Sequence, residues 1–176
     1  IARVIDYTKQ IRKTPIVVND SRGFFTSRVF GTLTMEGAQM VAEGGNPITI
    51  ERAASLAGFP GQPRAMTDEI SMLLPQKINA EAKAAAEAGG NTVPDSPAMD
   101  VVNRMVELGR PGKAAGGGFY EYPADGKKFL WPGLWDLFVK EDVDVPLEDI
   151  KERMTFIMAV ETVRCLEENV LRTVAD

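Results

Sequence analysis

Ala2, Val4, Ile5, Tyr7 and Ile11 recur at helical spacing with charged residues between them, so residues 2–12 are expected to form an amphipathic helix. The run Ile16, Val17, Val18 is apolar without alternation. That pattern suits a strand buried on both faces of a parallel sheet. One helix and one strand do not make a sheet. Residues 1–20 are therefore expected to be the last pieces of an α/β domain lying upstream.

Beyond Asp20 the helical period dominates. Asp20 or Ser21 is a candidate cap for a long helix running to about Glu43. Phe25, Val29, Leu33, Gly37 and Val41 share one face of it, and Ser27, Gly31, Thr34 and Ala38 form a second stripe of small residues. Such a stripe serves tight helix packing or lets a ligand come close. Gly44-Gly45-Asn46-Pro47 stops the helix. Thr49 then caps a short helix with Arg52 on its polar side, and residues 58–63 are loop. Residues 64–88 read as helix with an exposed, alanine-rich end over 81–88. Ser96-Pro97 opens another helix to Leu108, with proline in its first position. Gly109–Gly118 is a glycine-rich basic loop leading into the extended run Phe119–Tyr122, with loop again over 123–132. Trp131, Leu134, Trp135, Leu137 and Phe138 form an apolar cluster, and Asp144 and Pro146 start a last helix to about Leu171.

The first and last long helices superpose in sequence. Arg28, Glu36 and Glu43 fall on Arg153, Glu161 and Glu168, each pair 125 residues apart, and the apolar positions follow. Coincident charges point to a duplicated helical unit, because the amphipathic period alone does not require them. The second copy then stops after its first helix. Its apolar stripe, including Leu147, Ile150, Met154 and Leu166, either packs back on the first bundle or pairs between copies.

Composition removes whole classes of chemistry. The 176 residues carry a net charge of -5, so no basic surplus exists for nucleic acid. There is no histidine, which excludes any imidazole base or ligand within this chain. Cys165 is the single cysteine and sits among apolar residues, as a core thiol would. With no signal peptide and no apolar run long enough for a membrane span, a cytoplasmic setting is the expectation. The chain opens at Ile1 in mid-pattern and reads as an excised fragment.

Three segments are candidates for chemistry. Ser27 and Arg28 begin a helix directly after a buried strand, where ligands collect in α/β folds. Arg110 and Lys113 lie among flexible glycines that either approach a diphosphate or form a tight crossing loop. The loop is neither a P-loop nor a dinucleotide fingerprint, since it leads into an extended aromatic run. Asp68 and Glu69, as helix neighbours, point different ways and are expected on a solvated face.

These segments together resemble the C-terminal region of the 3-hydroxyacyl-CoA dehydrogenases. KTPIVVNDSRGFFTSRV over 13–29 is similar to the family's K-x-P-V-x-V-x-D-x-P-G-F-x-x-N-R, GFPGQPRAMTDEI over 58–70 to G-x-P-M-G-P-x-x-L-x-D, and GRPGKAAGGGFYEY over 109–122 to G-x-K-x-G-x-G-F-Y-x-Y. RMTFIMAVETVRCLEENV over 153–170 resembles the opening of a second helical repeat in the multifunctional β-oxidation enzymes.

The resemblance implies a mainly α fold, a bundle of the 6-phosphogluconate-dehydrogenase C-terminal-like type. Its implied layout is a Rossmann remnant over 1–20, the first helical domain over 21–122, a linker over 123–145 and the first helix of a truncated second repeat over 146–176. It implies oxidation of (S)-3-hydroxyacyl-CoA with NAD, the cofactor being bound mainly by an upstream Rossmann domain that also carries the catalytic His–Glu dyad, so that no catalytic residue is expected in this chain. This part would supply acyl-CoA cover and domain or homodimer contacts. Ser27 falls where the family has a substrate-contacting asparagine, and Ala114 falls on its cofactor-proximal lysine, with Lys113 one place earlier. Arg22 replaces the family's proline, and G-Q-P replaces M-G-P. Two alternatives stand beside this reading. One is a non-catalytic helical association or CoA-binding module. The other is a β-hydroxyacid-type dehydrogenase, whose K-x-x-x-N helix pair is absent here.

Overall fold

The computed structural model describes residues 1–175 and is mainly helical. Helix α1 spans Ala2–Gln10, α2 Thr26–Ala42, α3 Pro47–Leu56, α4 Pro63–Ile70, α5 Leu73–Ala88, α6 Pro97–Glu107, α7 Gly133–Phe138 and α8 Leu147–Glu167. A two-stranded antiparallel hairpin, β1 (Tyr120–Glu121) and β2 (Phe129–Leu130), is the only sheet among the described residues.

Helix α2 is the centre of the bundle. It packs chiefly on α6 and α8, with α4 against its second half. Leu33, Met40 and Val41 of α2 join Ile50 of α3, Val102 and Met105 of α6, Phe119, Leu134 of α7, and Ile150 and Met154 of α8 in one core. Gly37 faces Pro63 so closely that a Cβ would lie 2.8 Å from the ring, so the small stripe on α2 serves helix packing at that point. Helix α8 thus packs back on the first bundle. Its Ile150 and Met154 are fully buried, whereas Leu166 stays at the edge.

Several sequence expectations shift at the ends of elements. No side chain caps α2, which starts at Thr26 and not at Asp20 or Ser21; the intervening turn places Gly23 and Phe24 at positive φ (78° and 49°). The cap of α3 is Asn46, whose Oδ1 accepts from the Ile48 and Thr49 amides (2.9 and 3.4 Å), so Thr49 is inside the helix. The continuous helix expected over 64–88 is two helices, broken where Ser71 takes φ 68° and the Met72 amide bonds to the Pro111 carbonyl (2.7 Å). Periodicity could not reveal that break, because it is made by a distant carbonyl. Within 123–132, expected as loop, Phe129 and Leu130 pair with the aromatic run.

The apolar run 16–18 has no sheet around it among the described residues. Ile16 is 38 % exposed, and Val18 forms a single antiparallel bridge with Leu171 instead of sitting in a parallel sheet. A strand is buried on both faces only when neighbouring strands and helices cover it, and the described residues offer none. Helix α1 has no buried residue, and with residues 14–18 it borders an open groove of about 570 Å³.

Candidate functional site

Asp68 organises the glycine-rich loop. It lies on α4 at 1 % exposure, with Oδ1 accepting from the Phe119 amide (2.8 Å) and Oδ2 from the Tyr120 amide and the Tyr122 hydroxyl (both 2.9 Å). The expected solvated face is therefore corrected: only its neighbour Glu69 is exposed. Burial pushes the Asp68 carboxyl above its ordinary range, while the two amides and the hydroxyl favour the anion and oppose that shift. A Cβ on Gly118 would collide with this carboxylate, and one on Gly112 would come within 2.5 Å of the Asp68 carbonyl oxygen. Arg110 completes the closure. It donates to the Gly118 and Tyr120 carbonyls (2.9 and 3.2 Å), pairs with Glu121 (3.0 Å) and stacks on Trp131 (4.3 Å). Gly112, Gly117 and Gly118 thus meet the protein's own groups, which is the tight-crossing reading of this loop.

Helix α4 carries a second buried charge. Arg64, at 0 % exposure, donates to the Gly37 and Pro47 carbonyls (3.2 and 2.8 Å) and faces Glu51 at 2.9 Å, out of line for a hydrogen bond. It ties α2, α3 and α4 together. Periodicity missed both Arg64 and Asp68, although Asp68 stands on the acidic position of the 58–70 motif.

Lys113 is exposed on the rim of this loop, paired with Glu69 (2.6 Å) and 5.9 Å from the Tyr122 ring centre. Tyr122 also lines an open hollow of about 450 Å³ with Phe129 and Trp131. No dinucleotide cradle is evident among these residues, because Arg110 and Lys113 are each paired with a glutamate and Gly112, Gly117 and Gly118 face the protein's own atoms, although Gly109 and Gly116 are open. These residues do not fit NAD by themselves, and no step of hydride transfer is derived from them.

Ser27 lies elsewhere, exposed in the first turn of α2. None of the described hollows is lined by both Ser27 and Lys113. Next to Ser27, Arg28 donates to Glu161 (Nε–Oε1 2.7 Å) and pairs with Glu168. Arg153 mirrors it, donating to Glu36 (2.7 Å) and, with two nitrogens, to Glu43 (2.6 and 3.0 Å). The three charges that coincide in sequence therefore make two reciprocal clamps across antiparallel helices, the pattern of an approximate two-fold axis. The partners show it electrostatically. Glu168 and Glu161 raise the Arg28 guanidinium against the lowering effect of burial, and Arg153 holds Glu43 below its usual range. Burial pushes up the thiol of Cys165, which sits in the small core with Val170, Leu171, Val18 and Phe25, as expected for a core cysteine.

The family described as 3-hydroxyacyl-CoA dehydrogenase, C-terminal domain, matches residues 23–122, a stretch reaching from the turn before α2 through β1 to Tyr122. The chain belongs to this family. It is also 29 % identical to the fatty acid oxidation complex subunit alpha of Shewanella frigidimarina (strain NCIMB 400), across the whole of this chain but only 24 % of that protein. The dehydrogenase part of multifunctional enzyme 1 from C. elegans has the same fold. Its TM-score is 0.72 at 20 % identity, covering 97 % of this chain and 38 % of that one. The chain thus spans about a quarter of the curated relative. No described helix is long and apolar enough to cross a membrane.

Proposed function

We propose that this chain is the helical part of a (S)-3-hydroxyacyl-CoA dehydrogenase of fatty-acid β-oxidation, an enzyme that oxidises 3-hydroxyacyl-CoA to 3-ketoacyl-CoA with NAD. The observation that carries this reading is the family match over 23–122 on a bundle whose joint and glycine-rich loop hold the motif residues. The chain's share is to cover the acyl-CoA and to contact a nucleotide-binding domain. Ser27, exposed at the start of α2, is the candidate substrate contact, and Lys113 the candidate contact on the cofactor side. The exposed Ile1, Val4, Tyr7 and Ile11 of the α1 region, beside the open groove, support a neighbouring domain on that face. Residues 1–20 are then the end of that Rossmann domain, 21–122 the first helical domain, 123–145 a linker and 146–176 the start of a second repeat. A cytoplasmic location accords with this chemistry.

The chain has no histidine, so in this reading the imidazole that takes the 3-hydroxyl proton belongs to the nucleotide-binding domain. The test is NAD-linked oxidation of 3-hydroxybutyryl-CoA and of a longer 3-hydroxyacyl-CoA. Residues 1–176 alone are compared with a chain joining them to the nucleotide-binding domain. Turnover by the joined chain alone is the expected result. Turnover by residues 1–176 alone overturns the division of labour, and silence in both favours the non-catalytic CoA-binding module.

A further inference from the structure

The turn that carries Ser27 is held mainly from across the chain. The Asn19 amide donates to the Val170 carbonyl (2.9 Å), and the Asn19 side chain donates to the Asn169 carbonyl (2.8 Å). Val18 bridges to Leu171, and Phe25 packs in the small core around Cys165. Arg28, one residue past Ser27, is gripped by Glu161 and Glu168. Between these anchors Gly23 and Phe24 take positive φ and Phe24 is 53 % exposed, so the turn has little cover of its own. Every one of these ties runs to the last turns of α8 or to the residues just after it.

We propose that Glu161 and Glu168 are positioning residues for the substrate-facing joint of the first bundle. They fix the first turn of α2 through Arg28, and so set how tightly the enzyme takes its 3-hydroxyacyl thioester at Ser27. The inference rests on the function proposed above for its substrate, but the mechanical tie stands on the contacts alone. The second repeat's helix is then a brace for the first repeat's binding surface. The mirror clamp at Arg153 supplies an internal comparison, because it fastens the opposite end of α2 with the same chemistry.

The experiment is amide hydrogen exchange on residues 1–176 carrying Glu161→Gln with Glu168→Gln, beside Arg153→Gln. Glu168→Gln alone, at a carboxylate 55 % exposed, is the milder variant should the double variant fold poorly. Protection over residues 24–31 is expected to fall about tenfold in the glutamate variants with α6 unchanged. Arg153→Gln should loosen residues 36–43 and leave the joint alone. In the joined dehydrogenase, the glutamate variants should raise KM for the 3-hydroxyacyl-CoA about tenfold with kcat little changed. Unchanged exchange at the joint, or an equal rise caused by Arg153→Gln, overturns the proposal. Ser27→Ala with an unmoved KM overturns the substrate role of Ser27 alone, leaving the exchange result to decide the tie.

Discussion

Truncating Asp68 to alanine removes the acceptor of two buried amides and one hydroxyl at once. The Tyr122 hydroxyl sits on a half-buried residue and can turn towards water, but the Phe119 and Tyr120 amides cannot. Burial raises the Asp68 carboxyl despite its three donors, so the anion itself is not a large net source of stability. The loss on truncation is therefore dominated by the orphaned donors. At about 1–3 kcal/mol for each unpaired buried amide, Asp68→Ala should destabilise the protein by about 2–6 kcal/mol. For a chain of this size that corresponds to a fall in Tm of roughly 5–20 °C. Thermal unfolding followed by circular dichroism measures it. A variant melting within about 2 °C of the native protein would refute the claim that this carboxylate organises the 109–122 loop.

Gly118→Ala drives a methyl group into the same carboxylate and should cost a comparable amount in denaturant unfolding. Combined with Asp68→Ala its effect should be markedly less than additive, since the obstacle has gone. Arg153→Met removes a bidentate clamp between half-buried groups, so its destabilisation should be about 1–3 kcal/mol at low salt and smaller in 1 M salt, as read from urea midpoints. The Glu43 carboxyl, held below its ordinary 4.5 by Arg153, contributes stability that is present above that pH and lost as pH falls through its lowered value. Stability measured against pH should therefore drop in acid, and Arg153→Met should flatten that part of the slope.

Much of the helical layout was legible in the chain. The stop at Gly44–Pro47, the proline opening α6 and the periodic faces of α2 and α8 are local signals, each set by one or two residues and their neighbours. The repeat of Arg28, Glu36 and Glu43 in α8 was legible too, because charges at a fixed offset need no knowledge of packing. Their pairing was not, since it depends on the two helices lying antiparallel. Likewise the 58–70 motif held the acidic position of Asp68, but local reasoning set it on a solvated face. What buries Asp68 is a loop some fifty residues further along, brought over α4 by the fold.

The sequence by itself determined most of the helical segments, though not the break at Ser71 or the short α7, that no imidazole chemistry occurs within this chain, and which dehydrogenase family its motifs follow. These depend on residue type and spacing, which act over a few neighbouring positions. Only the tertiary structure decided that the glycine-rich loop closes on Asp68 and Arg110, that Val18 bridges to Leu171, and that α8 grips the turn beside Ser27. Each of those is a contact between residues far apart in the chain, and burial, charge pairing and hydrogen-bond satisfaction take their values only once such residues have been brought together.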